Sequence, residues 1–133
     1  MDYGTITPKS IHGIERQLYI LSRLQDLIEK YHPDVLAYEE FTWRGSRVRG
    51  RSDMERLIGG IQGLTLQPPF PTVTGLLPQK WGAQLVGYKS HTKEQVAFCV
   101  NARLRTHFRG DLDDNHACDA VGIALVAYDI LRK

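Results

Sequence analysis

Apolar residues recur at intervals of three and four in five parts of the chain, which is the spacing of an amphipathic helix. His32 and Pro33 close the first of these segments, and Pro78 opens the short third one. Ser90 or Thr92 is the candidate cap of the fourth. The helices predicted in this way lie within residues 11–31, 54–64, 78–85, 87–108 and 114–133.

Three shorter segments, at residues 3–7, 34–40 and 72–77, have the apolar character of β-strands. The second is mostly apolar up to Glu39 and Glu40, as expected of a buried parallel strand whose carboxyl end delivers carboxylates. Strands that alternate with helices predict an α/β fold, in which helices cover a sheet.

The last predicted helix has two apolar stripes and a polar first turn. One stripe contains Ala117, Val121, Ala124, Tyr128 and Leu131, and the other contains Ile123, Val126 and Ile130. Continued backwards by helical steps of four and three residues, the second stripe reaches Asp119 and His116, where packing alone would favour apolar groups. These two side chains are therefore candidates for chemistry.

The length of 133 residues predicts a single domain over residues 1–133. No apolar run approaches the ~20 residues that span a bilayer, so no membrane contact is expected. The first ten residues lack the basic start and the apolar stretch of a secretory signal, which favours a cytoplasmic setting. Cys99 and Cys118 lack the spacing of a metal site and are interpreted as reduced core residues.

Charged residues are unevenly distributed, although the formal net charge is only +2. The segment 43–56, predicted to be a flexible loop, contains Arg44, Arg47, Arg49, Arg51 and Arg56. A second basic group contains Arg103, Arg105 and Arg109. It is followed by an acidic loop with Asp111, Asp113 and Asp114. Basic arms beside an acidic pocket suit a protein that holds a polyanion and places divalent metal on it. Solvated surface charge is the alternative interpretation, and it explains one arginine better than five.

Glu39, His116 and Asp119 form a candidate metal site, because ligands of α/β folds bind at the carboxyl ends of strands and the adjoining loops. Residues three apart on a helix have neighbouring side chains, so His116 and Asp119 could share one ion. Carboxylates with one imidazole suit Mg²⁺ or Mn²⁺. Each residue also has a structural alternative, as a helix-start hydrogen-bonding group, a helix-dipole partner or a surface acid. Strand parity alone does not choose between Glu39 and Glu40.

Four stretches of the chain, in order, are similar to the RuvC-type Holliday-junction resolvases of the ribonuclease H-like superfamily. "RLQDLIEKYHPDVLAYEEF" resembles the helix and strand that end in the catalytic Glu of the family, and "GGIQGL" resembles its glycine-containing helix. "LPQKWGAQLVGYKSHTKEQV" resembles the segment with a functional lysine, and "DNHACDAVGIAL" the closing metal-ligand helix. The last motif is the most specific of the four.

The resemblance implies a metal site of Glu39, His116 and Asp119, with Glu39 preferred to Glu40, and Lys93 on DNA near the reaction centre. It further implies two Mg²⁺ or Mn²⁺ ions and hydrolysis of four-way (Holliday) junction DNA by a homodimer, in the cytoplasm of a bacterial or phage-infected cell. The implied DNA contacts, two of them by aromatic stacking, are Phe41, Trp43, Arg44, Arg47, Arg49, Arg51, Lys80 and Lys93. Hydrophobic anchoring of the loop is the alternative role of the two aromatic residues.

The resemblance also has a gap at its start. The family begins with a strand that carries a Gly-Ile-Asp-type motif, whose Asp bridges the metals, and a second strand paired with it, whereas residues 3–7 align with the third strand. The expected fold is therefore an N-terminally truncated, ribonuclease H-like mixed sheet flanked by helices, and the chain alone is expected to lack one catalytic carboxylate. A non-catalytic DNA-binding or assembly protein on this fold is the main alternative. A sugar-kinase-like phosphotransferase would need glycine-rich phosphate loops, and a zinc module would need paired short spacings; neither is found.

Overall fold

The computed structural model describes residues 2–40, 48–87, 92–111 and 114–132, with the backbone alone for residues 48–52. Within these ranges the chain forms, in order, α1 (Gly13–Tyr31), β1 (Val35–Glu39), α2 (Val48–Leu64), β2 (Thr72–Leu76), α3 (Pro78–Val86), α4 (Lys93–Leu104) and α5 (Asn115–Arg132). The predicted alternation of helices and strands is confirmed. No helix in the described part of the chain is both long enough and apolar enough to cross a membrane.

The helix ends follow from local chemistry. His32 adopts a left-handed conformation after α1 and its backbone N–H donates to the Ile28 carbonyl, at 2.9 Å. Thr92 caps α4 through a reciprocal pair of bonds, from Gln95 N to Thr92 Oγ1 and from Thr92 N to Gln95 Oε1. Thr92 is thus the cap of the two candidates, and Ser90 lies outside the described residues.

The two strands form a parallel pair, with α2 in the connection between them. The pair is parallel because the amide of Thr72 donates to the Asp34 carbonyl at one end, while the amide of Glu40 donates to the Leu76 carbonyl at the other, each at 2.9 Å. The strand predicted at residues 3–7 is wrong, since a strand needs a hydrogen-bonded neighbour and this segment pairs with neither β1 nor β2.

The contacts within the chain divide it into two compact units. Unit 1 comprises the described residues of Met1–Thr5, Ala37–Thr42 and Thr74–Lys133, and unit 2 those of Ile6–Leu36 and Trp43–Val73. The prediction of a single domain stays a prediction.

In unit 1, three helices enclose a continuous hydrophobic core. Its buried side chains include Trp81, Val96, Val100, Phe108, Cys118, Val121 and Val126. The ring of Tyr3 adds to this packing, with its centroid 4.7 Å from that of Phe108. Asn101 fixes the segment after α4, because its side-chain amide donates to the Phe108 carbonyl while its oxygen accepts from the Phe108 N–H, each at 2.9 Å.

In unit 2, α1 packs against α2. A Cβ added at Gly60 would lie 2.5 Å from Leu21 Cδ1, so the glycine admits that side chain. Gln17 Nε2 donates to the Asp53 carbonyl at 3.4 Å. Among the described hydrophobic side chains of unit 2, Ile28 is the one that is buried, with 6% of its surface exposed.

The prediction of a flexible basic loop over residues 43–56 is wrong for its second half. Helix α2 begins at Val48, so Arg49 and Arg51 lie on a helix. Arginine, methionine and glutamate favour helix, and each residue added to a nucleated helix gains a backbone hydrogen bond, which outweighs the cost of one glycine at position 50. The other predicted DNA contacts of this segment, Phe41, Trp43, Arg44 and Arg47, lie outside the described residues.

The buried face of α5 also differs from the predicted stripes. Of the predicted positions, Ala117, Val121, Ile123 and Val126 are buried as expected, whereas Ala124, Tyr128, Ile130 and Leu131 are exposed. The helix instead turns other small residues inward, at Cys118, Gly122 and Ala127. Small side chains allow close packing against α3 and α4, which moves the core face away from the larger residues at the end of the helix.

Candidate functional site

Glu39 and Glu40 lie on opposite faces of the sheet, because side chains alternate along a strand. Ala37, on the Glu39 face, packs against the core of unit 1. Glu40 lies on the other face with Tyr38, close enough to β2 that a Cβ at Gly75 would meet Glu40 Cγ at 2.6 Å. The structure therefore puts the two adjacent carboxylates in different surroundings, and Glu39 is the one on the core side.

Trp81 holds the Glu39 carboxylate. Its indole N–H donates to Glu39 Oε2 at 2.8 Å, and the residue is only 2% exposed. The six-membered ring of Trp81 packs over Gly122 of α5, where an added Cβ would lie 3.0 Å from Cζ3. Because Gly122 follows Asp119 by three residues on the same helix, this one side chain connects the end of β1 to the first turns of α5.

Lys93 and Asp119 form an ion pair between the first residue of α4 and the second turn of α5, through Lys93 Nζ and Asp119 Oδ2. The lysine side chain is half exposed, whereas that of Asp119 is only 17% exposed. The second carboxylate oxygen, Oδ1, is buried and has no hydrogen-bond partner among the described residues, and the same holds for Oδ1 of Asn115 one turn earlier. A buried carboxylate oxygen without a partner is costly, so this position favours a cation.

One residue of the acidic loop before α5, Asp114, has a structural role. Asp114 accepts from the backbone N–H groups of Arg109, at 2.7 Å, and Gly110, at 3.0 Å. The backbone of Gly110 approaches that of Lys93 so closely that an added Cβ would lie 2.8 Å from the Lys93 carbonyl oxygen. Asp114 is thus committed to holding this turn, which in turn supports the start of α4. Asp113 lies outside the described residues.

His116 and Lys80 are exposed, on the first turn of α5 and on α3 respectively. Within the described residues, no three histidine, cysteine, aspartate or glutamate side chains lie close enough to hold a metal ion. The structure therefore pairs Lys93 with Asp119 and Glu39 with Trp81, but does not bring Glu39, His116 and Asp119 together as one cluster.

Cys118 is a core residue, as predicted. Both cysteines are free. Burial, followed by the negative charges of Asp119 and Asp114, raises the pKa of the Cys118 thiol to about 11. The thiol is therefore protonated at neutral pH in the metal-free chain, as expected of an inert core residue.

The candidate ligands are two carboxylates and one imidazole, whose chemistry suits a hard divalent cation rather than zinc, although the described structure does not bring the three together. The observation that carries this fit is the buried, unpartnered Oδ1 of Asp119. Sequence reasoning found Asp119 and Lys93, but missed Trp81, Gly110 and Asn115. The proline that starts α3 signals a helix, yet nothing in the local sequence indicates that the indole three residues later reaches Glu39.

The fold has close counterparts among solved structures. The Thermus thermophilus RuvC structure in complex with Holliday junction substrate matches with a TM-score of 0.78 at 24% identity, over 95% of this chain and 74% of that one. A second Thermus thermophilus RuvC structure matches with a TM-score of 0.76 at 23% identity, over 96% and 75% of the two chains. The fold is therefore the ribonuclease H-like α/β fold of these nucleases, and the predicted fold class is confirmed.

Two curated relatives identify the family within this fold class. The crossover junction endodeoxyribonuclease RuvC of Dictyoglomus thermophilum is 30% identical over 109 residues, which cover 79% of this chain and 66% of that protein. The enzyme of the same name from Chlorobium chlorochromatii is 30% identical over 118 residues, which cover 89% and 58%. The chain belongs to the RuvC family, as the resemblance predicts.

The match to these two relatives spans between 58% and 66% of their length. No protein-family model matches the chain. The prediction that the chain lacks the first two strands of the family stays a prediction.

Proposed function

We propose that the protein is a metal-dependent DNA endonuclease that cuts four-way junctions. The single observation that carries the proposal is the half of the site built on α4 and α5, where Lys93 pairs with an Asp119 whose second oxygen is buried and unpartnered. Relatives named crossover junction endodeoxyribonuclease, and a structural neighbour in complex with Holliday junction substrate, support the choice of reaction and DNA.

Asp119, Glu39 and His116 are the residues that would hold a divalent cation. When bound, Mg²⁺ or Mn²⁺ would polarise the scissile phosphate as a Lewis acid and lower the pKa of its bound water below that of bulk water. Trp81 keeps the Glu39 carboxylate oriented, since its N–H occupies Oε2 and leaves Oε1 for other partners. The ammonium of Lys93 offsets negative charge on the DNA backbone at the reaction centre.

Contacts outside the centre supply affinity. Lys80 and the arginines at 44, 47, 49 and 51 are proposed to contact phosphates, and Phe41 and Trp43 to stack on unpaired bases. A homodimer would cut two strands of a junction symmetrically. Its support in the structure is the apolar surface of α1, where Ile14 is 67% and Leu18 60% exposed.

The test is cleavage of a synthetic four-way junction, in Mg²⁺ or Mn²⁺, by the 133-residue chain and by the same chain extended with a strand that carries a Gly-x-Asp motif. A linear duplex of the same sequence is the matched substrate control, and Asp119→Asn the matched protein control. We expect the extended chain to cut the junction faster than the 133-residue chain does and to leave the duplex intact. Asp119→Asn should abolish the cutting, because an uncharged isostere keeps the packing but weakens the ligand. Equal cutting by wild type and variant would contradict the assignment of Asp119.

The non-catalytic alternative has one observation in its favour, namely that no three candidate ligands converge within the described residues. It predicts junction binding with the same salt dependence but no cutting in either metal. A gel-shift assay beside the cleavage assay therefore separates the two functions.

A further inference from the structure

We infer that Lys93 is an internal cation that occupies Asp119 until a divalent metal displaces it, and that the released ammonium then binds the DNA backbone. The inference rests on the proposed function, because it takes Asp119 as a metal ligand. It adds an order of events. The Lys93–Asp119 ion pair competes with metal binding at Asp119, and DNA phosphate favours breaking this ion pair.

The ion pair is built asymmetrically, and this asymmetry carries the inference. Asp119 is fixed in the second turn of α5 and is mostly buried, whereas the Lys93 side chain is half exposed. The lysine backbone is fixed by the Thr92 cap and by the close approach of Gly110, so movement is left to the four-carbon stem. The ammonium can leave, and the carboxylate stays.

The two cations exclude each other at one carboxylate. A divalent ion at Asp119 would lie within a few ångströms of an ammonium still paired with Oδ2, and charges of the same sign repel strongly at that distance where solvent is limited. Metal binding therefore breaks the ion pair, and the free energy of metal binding includes the free energy needed to break it.

A phosphodiester supplies the displaced ammonium with a new anionic partner. Metal loading and DNA binding should consequently strengthen each other, and by linkage the coupling is the same in both directions. Removal of the lysine charge should tighten metal binding to the free protein and abolish this coupling.

The experiment is calorimetric titration of Mn²⁺ into the full chain as wild type, Lys93→Met and Lys93→Arg. Lys9→Met is the control that removes an exposed lysine charge from the segment before α1. We expect Lys93→Met to bind Mn²⁺ about three- to tenfold more tightly than wild type, as expected for loss of a competing ion pair. Lys93→Arg and Lys9→Met should stay within about twofold, since the first keeps the pair and the second never had it.

The coupling is measured by repeating the titrations with a non-cleavable four-way junction bound. Junction should tighten Mn²⁺ binding to wild type but not to Lys93→Met. Should Lys93→Met destabilise the chain in thermal melts, Lys93→Gln replaces it, because glutamine is also uncharged and keeps a polar helix-start residue.

Two results would overturn the inference, and they differ. If Asp119→Asn removes Mn²⁺ binding while Lys93→Met binds as wild type or more weakly, the internal cation is refuted and the proposed function stands. If Asp119→Asn binds Mn²⁺ as well as wild type does, the metal site itself is misplaced, and both proposals fall.

Discussion

Unit 1 and unit 2 contain similar kinds of helices but differ in how they use apolar residues. All the buried hydrophobic residues of the described chain except Ile28 lie in unit 1, where they surround Trp81 and α5. In unit 2, helix α1 leaves Ile14, Leu18 and Tyr31 exposed. The candidate chemistry lies in unit 1, and the helical part of the basic segment lies in unit 2.

This difference follows what each task requires. A metal-binding carboxylate must be held to within a fraction of an ångström, so it benefits from a rigid core on all sides. Phosphate contacts tolerate a less precisely fixed surface, because they act mainly through charge. We therefore expect variants of unit 1 to change stability and metal binding, and variants of unit 2 to change DNA affinity.

Replacing Arg44, Arg47, Arg49 and Arg51 together with alanine should have the largest effect. Junction affinity should fall by orders of magnitude at low salt, and the log-log salt slope should shrink by roughly 0.9 for each phosphate that the variant no longer neutralises on duplex-like DNA. Mn²⁺ affinity should not change. A salt titration by fluorescence anisotropy measures the slope, and an unchanged slope would show these arginines to be solvated surface.

Gly110→Ala should destabilise the chain by about 2–3 kcal/mol, because it adds a methyl against the Lys93 carbonyl at a backbone position with φ of 79°. Gly87→Ala is the matched control, since Gly87 also has a positive φ but open space around it, and should cost about 1 kcal/mol. Urea denaturation gives both values. Equal losses would mean that the close approach to Lys93 contributes nothing.

Val100→Ala and Leu18→Ala compare the two units directly. Val100 is fully buried, so loss of two methyl groups should cost about 2 kcal/mol. Leu18 is 60% exposed in the single chain, so its truncation should cost less than about 0.5 kcal/mol at concentrations where the chain is monomeric. Urea midpoints at constant m-value test the contrast, and a larger loss for Leu18→Ala at higher chain concentration would support burial of α1 in the proposed homodimer.

Trp81→Phe should cost about 2 kcal/mol of stability, since it removes the N–H to Glu39 and leaves a cavity where the six-membered ring of the indole packs over Gly122. Mn²⁺ affinity should fall a fewfold if the bond orients Glu39. Combining it with Glu39→Gln gives a double-mutant cycle, and strictly additive losses would separate Trp81 from Glu39.

Local signals in the sequence were sufficient for some helix ends, such as His32 after α1 and Thr92 before α4, because caps act within four residues. They did not predict the start of α2 at Val48. The strand predicted at residues 3–7 failed, since strand formation depends on a partner elsewhere in the chain. Asp119 could be identified from a break in helical patterning. Its pairing with Lys93, 26 residues away, could not, because it depends on how α4 packs on α5. The resemblance preferred Glu39 to Glu40, whereas the difference between the surroundings of the two carboxylates depends on which side of the sheet faces the core.

The parallel pairing of β1 and β2 has a consequence for the order of folding. Helices α4 and α5 are neighbours along the chain, whereas Thr72 must find Asp34 across all of α2. The longer closure costs only about 0.6 kcal/mol per doubling of loop length, but an isolated pair of strands is marginal without packing. Sheet pairing should therefore follow helix docking, as the higher contact order suggests. In pulsed hydrogen exchange, α4 and α5 should gain protection before β1, so the lysine–aspartate half of the site would form before Glu39 arrives.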